Sequence, residues 1–97
     1  MARPKILFFA EAVTLAHLAR PSALARKLAG GRYEIVLACD PRHSDLLRGL
    51  GCQVLPVRSI SSQQFLQAVS EGRPVYDTAT LRGYVRDDIA LMQQVRP

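Results

Sequence analysis

The sequence predicts an α/β fold in which a small parallel sheet is flanked by helices. Three short apolar runs, Lys5–Phe9, Glu34–Ala38 and Gln53–Val57, are rich in strand-forming residues and show little polar alternation. Such runs are typical of strands that are buried on both faces, as in a parallel sheet. Helical patterns separate them, so we expect the order β-α-β-α-β with right-handed crossovers.

The first helix is predicted over Ala16–Ala29, where alanine is frequent and Gly30-Gly31 supplies a stop. A second, shorter helix is predicted over Arg42–Leu50, with either Ser44 or Asp40-Pro41 at its N-terminus. We expect its leucines to face inward and Gly51 to close it. Those leucines are Leu46, Leu47 and Leu50.

Two further helices are predicted after the third strand. Ser61 or Ser62 can cap a helix over Gln63–Ser70, and a last amphipathic helix begins near Thr78 or Thr80. Apolar residues recur along the last helix at spacings of three and four, so we expect them to line the core or an acceptor pocket. They are Leu81, Val85, Ile89, Met92 and Val95.

Pro56 lies within the third predicted strand and cannot donate to a strand neighbour, so this strand must be at an edge. The sheet order 3-2-1 of a Rossmann-like half-domain satisfies that requirement. In that topology a fourth strand pairs with the free side of strand one. We therefore expect residues 1–97 to be a partial domain, truncated before the fourth strand and without a second domain. A missing C-terminal half or a partner chain would complete the sheet. The alternative is a complete three-stranded domain whose edge is covered by the last helix.

The composition excludes several classes of function. The net charge is +5, but the eleven arginines are spread along the chain, with no run of more than two basic residues, so we expect no nucleic-acid partner. No apolar stretch approaches the length of a transmembrane segment. Cys39 and Cys52 have no metal-ligand spacing, and the predicted strands hold them apart, so we expect no metal, reduced thiols and a cytoplasmic location.

Ligands of open α/β sheets bind beyond the carboxyl ends of the strands. That rule directs attention to Ala10–His17, Asp40–His43 and Arg58–Ser62. The first of these loops contains no glycine, which argues against a dinucleotide or P-loop nucleotide there. We therefore expect no bound cofactor.

His17 is the candidate catalytic residue. The positive end of the helix dipole disfavours an imidazolium at a helix start, so a neutral His17 would be available to accept a proton from a substrate hydroxyl. On spacing alone, a histidine that merely caps or packs against the helix explains the position as well.

Four polar residues in these loops are candidate substrate-binding residues. They are Glu11, Thr14, His43 and Ser59. Each also has a structural interpretation: a solvated loop carboxylate for Glu11, a helix-surface position for His43 and helix capping for Ser59. Asp40 is assigned to helix capping.

The stretch from Ile6 to Val57 resembles the N-terminal, acceptor-binding domain of GT-B-fold glycosyltransferases, and within them the UDP-glycosyltransferase and macrolide-glycosyltransferase-like enzymes. The matching pieces are the strand Ile6–Phe9, His17 with Pro21, the helix Ala23–Leu28 and the strand Tyr33–Ala38. The family usually has glycine where Ala16 stands.

This resemblance implies that the intact protein transfers a hexosyl group from a nucleotide sugar to a hydroxyl of a small-molecule acceptor. It implies that His17 is the general base and that the donor binds mainly to an absent C-terminal domain. The 97-residue chain alone would then be inactive. Two alternatives stay open, a non-catalytic Rossmann-like binding module and a fragment of a GT-B-fold sugar-nucleotide epimerase.

Overall fold

A computed structural model describes residues 3–97, with Ser44 described in its backbone alone. The chain forms three strands, three α-helices and one 3-10 helix. In order, they are β1 (Lys5–Ala10), α1 (Leu15–Leu28), β2 (Glu34–Cys39), the 3-10 helix η1 (Pro41–Leu47), β3 (Gln53–Pro56), α2 (Ser62–Ser70) and α3 (Thr78–Val95).

The strands form one parallel sheet in the order β1-β2-β3. Lys5 pairs with Glu34 at one end of the β1–β2 ladder, and Cys39 pairs with Pro56 at the carboxyl end of the β2–β3 ladder. Residues Ile35–Cys39 of the central strand are all buried, as expected for a strand covered on both faces. The predicted α/β fold and sheet order are therefore confirmed.

Pro56 lies on the edge strand β3, in agreement with the prediction. Cys39 and Cys52 are both free thiols, and burial raises the pKa of each. Within the described residues, β1 pairs only with β2. No helix among residues 3–97 is long and apolar enough to cross a membrane. The predicted truncation stays a prediction.

Local capping explains where the helices begin and end. Thr14 caps α1, and Gly30 follows its last turn with a φ of +78°, a left-handed conformation that favours glycine. Ser61 caps α2 in a capping box with Gln64, in which each side chain bonds to the other residue's backbone amide. Pro21 lies inside α1.

The second predicted helix is only partly correct. It is a 3-10 helix that ends at Leu47, and the backbone of His43 within it is non-helical, so the segment cannot form a regular α-helix. Asp40 is its N-cap and Pro41 follows at the first position; the side chain of Ser44 lies outside the described part. Leu47 and Leu50 are buried as predicted, but Leu46 is half exposed, so its inward assignment is wrong.

The prediction that the apolar stripe of α3 lies in the core is only partly correct. Leu81, Val85, Ile89 and Met92 are each about half exposed, at 48%, 56%, 49% and 50%. Val95 is buried as predicted, together with Leu91; these two residues follow Tyr84 at spacings of eleven and seven and lie on its side of the helix. Lys5 Nζ donates to the Val95 carbonyl at 3.1 Å, so the end of α3 is fixed near the start of β1.

The core lies between the sheet, α1 and η1. Leu18 of α1 and Leu37 and Cys39 of β2 are fully buried there, together with Ala10, Leu47 and Leu50. Burial of this apolar surface is the main force that holds α1 on the sheet. Because the three strands are parallel, their carboxyl ends lie at one edge of the sheet, where the candidate site is found.

Candidate functional site

The segments that follow the three strands meet at the carboxyl edge of the sheet. The Ala12 amide donates to Ser59 Oγ at 3.1 Å, and the Ser62 hydroxyl donates to the Val13 carbonyl. The segment after β1 is therefore bound directly to the segment after β3. This contact fixes the approach of the chain to α1 and to His17.

His17 is in the first turn of α1, three residues after the N-cap. Its backbone amide donates to Thr14 Oγ1 at 3.3 Å, so the cap holds the backbone while the imidazole stays exposed. The ring lies edge-on to Phe65 of α2, with centroids 6.3 Å apart and planes at 88°. An exposed imidazole held by one aromatic contact can exchange a proton with a bound molecule.

Glu11 is the first residue after β1, and both of its carboxylate oxygens are engaged by tyrosines. Tyr76 Oη donates at 3.1 Å and Tyr84 Oη at 3.3 Å, and the two phenol rings lie 5.6 Å apart. Tyr84 Oη also accepts from the Ile60 amide at 2.7 Å. The tyrosines thus join the start of α3 to the segments after β1 and β3.

Burial and the Glu11 carboxylate raise the pKa of titratable groups around Glu11. Burial and the Glu11 carboxylate raise the pKa of Tyr76, and burial together with Glu11 raises the pKa of Tyr84 to about 12. Burial and the nearby carboxylates of Asp87 and Glu11 raise the pKa of Asp88. Both phenols therefore stay protonated at neutral pH and remain hydrogen-bond donors to Glu11.

Asp40 and Arg42 form a second set of contacts, which we call the Asp40–Arg42 latch. The ion pair measures 3.0 Å, and Asp40 Oδ2 also accepts from the Ser59 amide at 3.1 Å. The Arg42 guanidinium donates to the Ser59 carbonyl at 2.7 Å and to the Ile60 carbonyl at 2.8 Å. The hydrogen bond from Arg42 is the main cause that lowers the pKa of Asp40 to about 2.

The structure brings some of the predicted site residues together. Glu11 and Ser59 belong to one hydrogen-bonded network through Ala12, Ile60 and Tyr84. The Thr14 hydroxyl caps α1. These polar groups already have partners within the chain, and whether they also contact a substrate stays a prediction.

His43 lies in η1, where its side chain is partly exposed but its Nε2 atom is buried. That atom has no hydrogen-bond partner among the described residues. No described hydrogen bond joins His43 to Glu11, Ser59 or the latch, so the structure does not bring it into the network.

Arg42 is the residue of this edge that sequence reasoning missed. Among eleven arginines, composition does not single out Arg42. The run Asp40-Pro41-Arg42 at the end of a strand could have indicated it. A proline after the capping aspartate starts the helix and places an arginine two residues from the carboxylate. In the part of the chain that the structure describes, no group of His, Cys, Asp and Glu could hold a metal ion.

The chain is similar over almost all of its length to several known proteins. No protein-family model and no solved structure match the chain. The chain is 42% identical over 95 residues to a PGL/p-HBAD biosynthesis glycosyltransferase of Mycobacterium tuberculosis, covering 98% of this chain and 22% of the relative. It is 44% identical, over 98% of this chain and 21% of the relative, to a PGL/p-HBAD biosynthesis rhamnosyltransferase of the same species.

A third relative, from Mycobacterium bovis, is named an inactive PGL/p-HBAD biosynthesis glycosyltransferase; it is 42% identical over 98% of this chain and 26% of its own length. The chain thus spans about a quarter or less of the curated relatives that it matches. Over almost its whole length, this chain is similar to proteins that are named glycosyltransferases.

Proposed function

We propose that this chain is the acceptor-side part of a glycosyltransferase, which moves a sugar from a nucleotide-sugar donor to a hydroxyl of a small-molecule acceptor. The observation that carries the proposal is the place of His17. Its exposed imidazole is in the first turn of the helix that follows β1, beside a polar edge where three strand ends meet. The names of the relatives favour sugar transfer over the non-catalytic module and the epimerase.

In this proposal His17 is the general base. Its neutral imidazole accepts the proton of the acceptor hydroxyl as that oxygen attacks the anomeric carbon of the donor, and the nucleotide leaves with the bonding electron pair. Thr14 and Phe65 support this role, because one holds the backbone of His17 and the other contacts its ring. Glu11, Ser59 and His43 stay candidates for acceptor binding.

A narrower assignment, to the glycosyltransferases of the GT-B fold, rests only on the resemblance of the first helix and its flanking strands to that family. In a GT-B enzyme of the UDP-glycosyltransferase type, a second domain binds most of the nucleotide. We therefore propose only the class of acceptor, a small molecule that carries a hydroxyl group. In this proposal most contacts to the nucleotide-sugar donor come from a part of the protein outside this chain.

The test compares two variants of the intact enzyme, His17→Ala and His17→Asn. Asparagine is close to histidine in size and forms hydrogen bonds, but it cannot take up a proton near neutral pH. We expect kcat to fall by roughly 10²–10⁴-fold in both variants, with donor affinity unchanged. If His17→Asn keeps wild-type turnover, His17 has a structural role and the general-base proposal is wrong.

A further inference from the structure

A groove of about 480 Å³ runs along the side of α1 that faces η1. Leu18, Ala19 and Ala23 of α1 and Leu46 of η1 give it an apolar lining. Two cations, Arg26 and Lys27, lie in the same lining. The groove therefore combines apolar surface with positive charge.

Exposed leucines extend this surface beyond the groove. Leu15 and Leu46 are exposed at 58% and 50%. Leu15 shares a helix face with Ala19, Ala23 and Arg26, because these residues follow one another at spacings of four, four and three. We call the combined surface the α1 patch: the groove, Leu15 and the flanking Arg20.

The charge of the α1 patch is not compensated locally. Between Glu11 and Glu34 the sequence contains Arg20, Arg26, Lys27 and Arg32 but no acidic residue. The nearest acid of η1 within the described part, Asp45, is paired with Arg48 at 3.1 Å. The arginines of α3 differ, because the same helix also carries Asp87 and Asp88.

We infer that the α1 patch docks onto an anionic lipid surface. Leucines beside cations on an exposed helix face match an interface where acyl chains lie under phosphate headgroups. The stems of Arg and Lys can lie along the apolar groove while their charged ends reach the headgroups. The leucines enter the boundary between headgroups and acyl chains, and the helix lies in the plane of the surface.

Two other partner classes fit the α1 patch less well. A single-stranded nucleic acid would require aromatic side chains for base stacking, and α1 contains no Phe, Tyr or Trp. An acidic protein would use the cations but has no need of two exposed leucines. Positive charge and apolar surface together are what select the lipid interface.

The inferred docking leaves the candidate catalytic residue free. At 3.6 residues per turn, Ala19, Ala23 and Arg26 lie on one flank of the buried face of α1, whereas His17 lies on the other. Contact between that flank and a lipid surface would therefore leave the imidazole uncovered. The inference does not depend on sugar transfer, because binding can be measured without turnover.

The test is co-sedimentation of the intact protein with vesicles of phosphatidylglycerol and phosphatidylcholine, and with vesicles of phosphatidylcholine alone. We expect binding to the anionic vesicles only, weakened by 0.5 M salt. Replacing three cations with Arg20→Gln, Arg26→Gln and Lys27→Gln should lower the partition coefficient on the order of 100-fold. A second variant, Leu15→Ser with Leu46→Ser, should lower it several-fold, since less apolar surface is buried.

The matched control removes the same charge elsewhere, with Arg58→Gln, Arg82→Gln and Arg86→Gln, and should lose much less binding. Circular dichroism checks that each variant is folded. Equal loss in the control would show that binding follows net charge or the apolar groove that Arg82 and Arg86 line, and it would overturn the inference. Unchanged binding of the leucine variant would point to an acidic macromolecule as partner and would overturn it as well, as would no binding to the anionic vesicles.

Discussion

The imidazole of His17 lies edge-on to the phenyl ring of Phe65, although 48 positions separate them in sequence. This contact joins the first turn of α1 to α2. It complements the cap by Thr14, which holds the backbone of His17 but leaves its ring free to rotate. The orientation of the imidazole therefore depends on a residue that follows the third strand.

Replacing Phe65 with leucine should release the His17 ring while keeping apolar bulk in α2. An edge-to-face pair contributes about 0.5–1.5 kcal/mol beyond area burial, and exposure of His17 places this pair at the lower end. We expect a small loss of stability and a shift of the His17 ring resonances, measured by NMR, towards those of a free histidine. The control Leu66→Ala, which changes a side chain 63% exposed, should leave those resonances in place.

The two tyrosines that bind Glu11 should differ in their effect on stability. Tyr84→Phe leaves the Ile60 amide without the phenol oxygen it now donates to, at a cost of about 1–3 kcal/mol. Tyr76→Phe removes a hydrogen bond to a carboxylate that keeps its other partner, so it should cost less. Urea denaturation of both variants checks the order; an equal cost would mean that water replaces the phenol at Ile60.

The Asp40–Arg42 latch should make stability depend on pH. The pKa of Asp40 is about 2 in the folded chain, below its ordinary value of 3.8, so its contribution is present above pH 4 and is lost as the pH falls towards 2. Asp40→Asn keeps an N-cap but removes the charge, and it should cost on the order of 1–2 kcal/mol at pH 7. Denaturation curves at pH 7 and pH 2.5 should show the variant and the wild type converging; a constant difference would contradict the assignment.

Two leucines of α3 provide a matched pair for its packing. Leu91 is buried and Leu81 is 48% exposed, so Leu91→Ala should cost about 2–4 kcal/mol and Leu81→Ala well under half of that. Thermal denaturation of the 97-residue chain measures both. A large cost for Leu81→Ala would show that a second copy of the chain covers the exposed stripe.

The strands could be predicted within one residue of their ends because each is an unbroken run of strand-forming apolar residues, although only β2 is buried on both faces. The run Glu34–Ala38 is the clearest, and the structure extends it only to Cys39. Pro56 allowed β3 to be predicted as an edge strand, because a proline has no amide hydrogen to donate to a neighbouring strand. The local chemistry of these residues was sufficient, without knowledge of their tertiary contacts.

The inner face of α3 could not be predicted in this way. Two apolar stripes run along the helix at helical spacing, and the sequence favours the larger one, from Leu81 to Met92. The structure buries Leu91, which lies outside that stripe, and Val95, which continues it, because Tyr84 bonds to the Ile60 amide and Lys5 to the Val95 carbonyl. These are contacts between distant positions, which periodicity along one helix does not contain.

The candidate site was likewise predictable only in part. The rule for strand ends selected His17, Glu11 and Ser59 correctly as residues of this edge of the sheet. It could not show that Glu11 would meet two tyrosines of a later segment, nor that Arg42 would reach the carbonyls of Ser59 and Ile60. Each of these contacts joins residues that are distant in the sequence.

Pro21 has a consequence for how the first turn of α1 opens. A proline has no amide hydrogen, so the His17 carbonyl cannot receive the bond that would tie it to the next turn. The turn that carries the imidazole is therefore held by fewer backbone bonds than the turns after Pro21. In deuterated water its amides should exchange well before those of Ser22–Leu28, so that local opening around His17 takes place while the rest of the helix remains on the sheet.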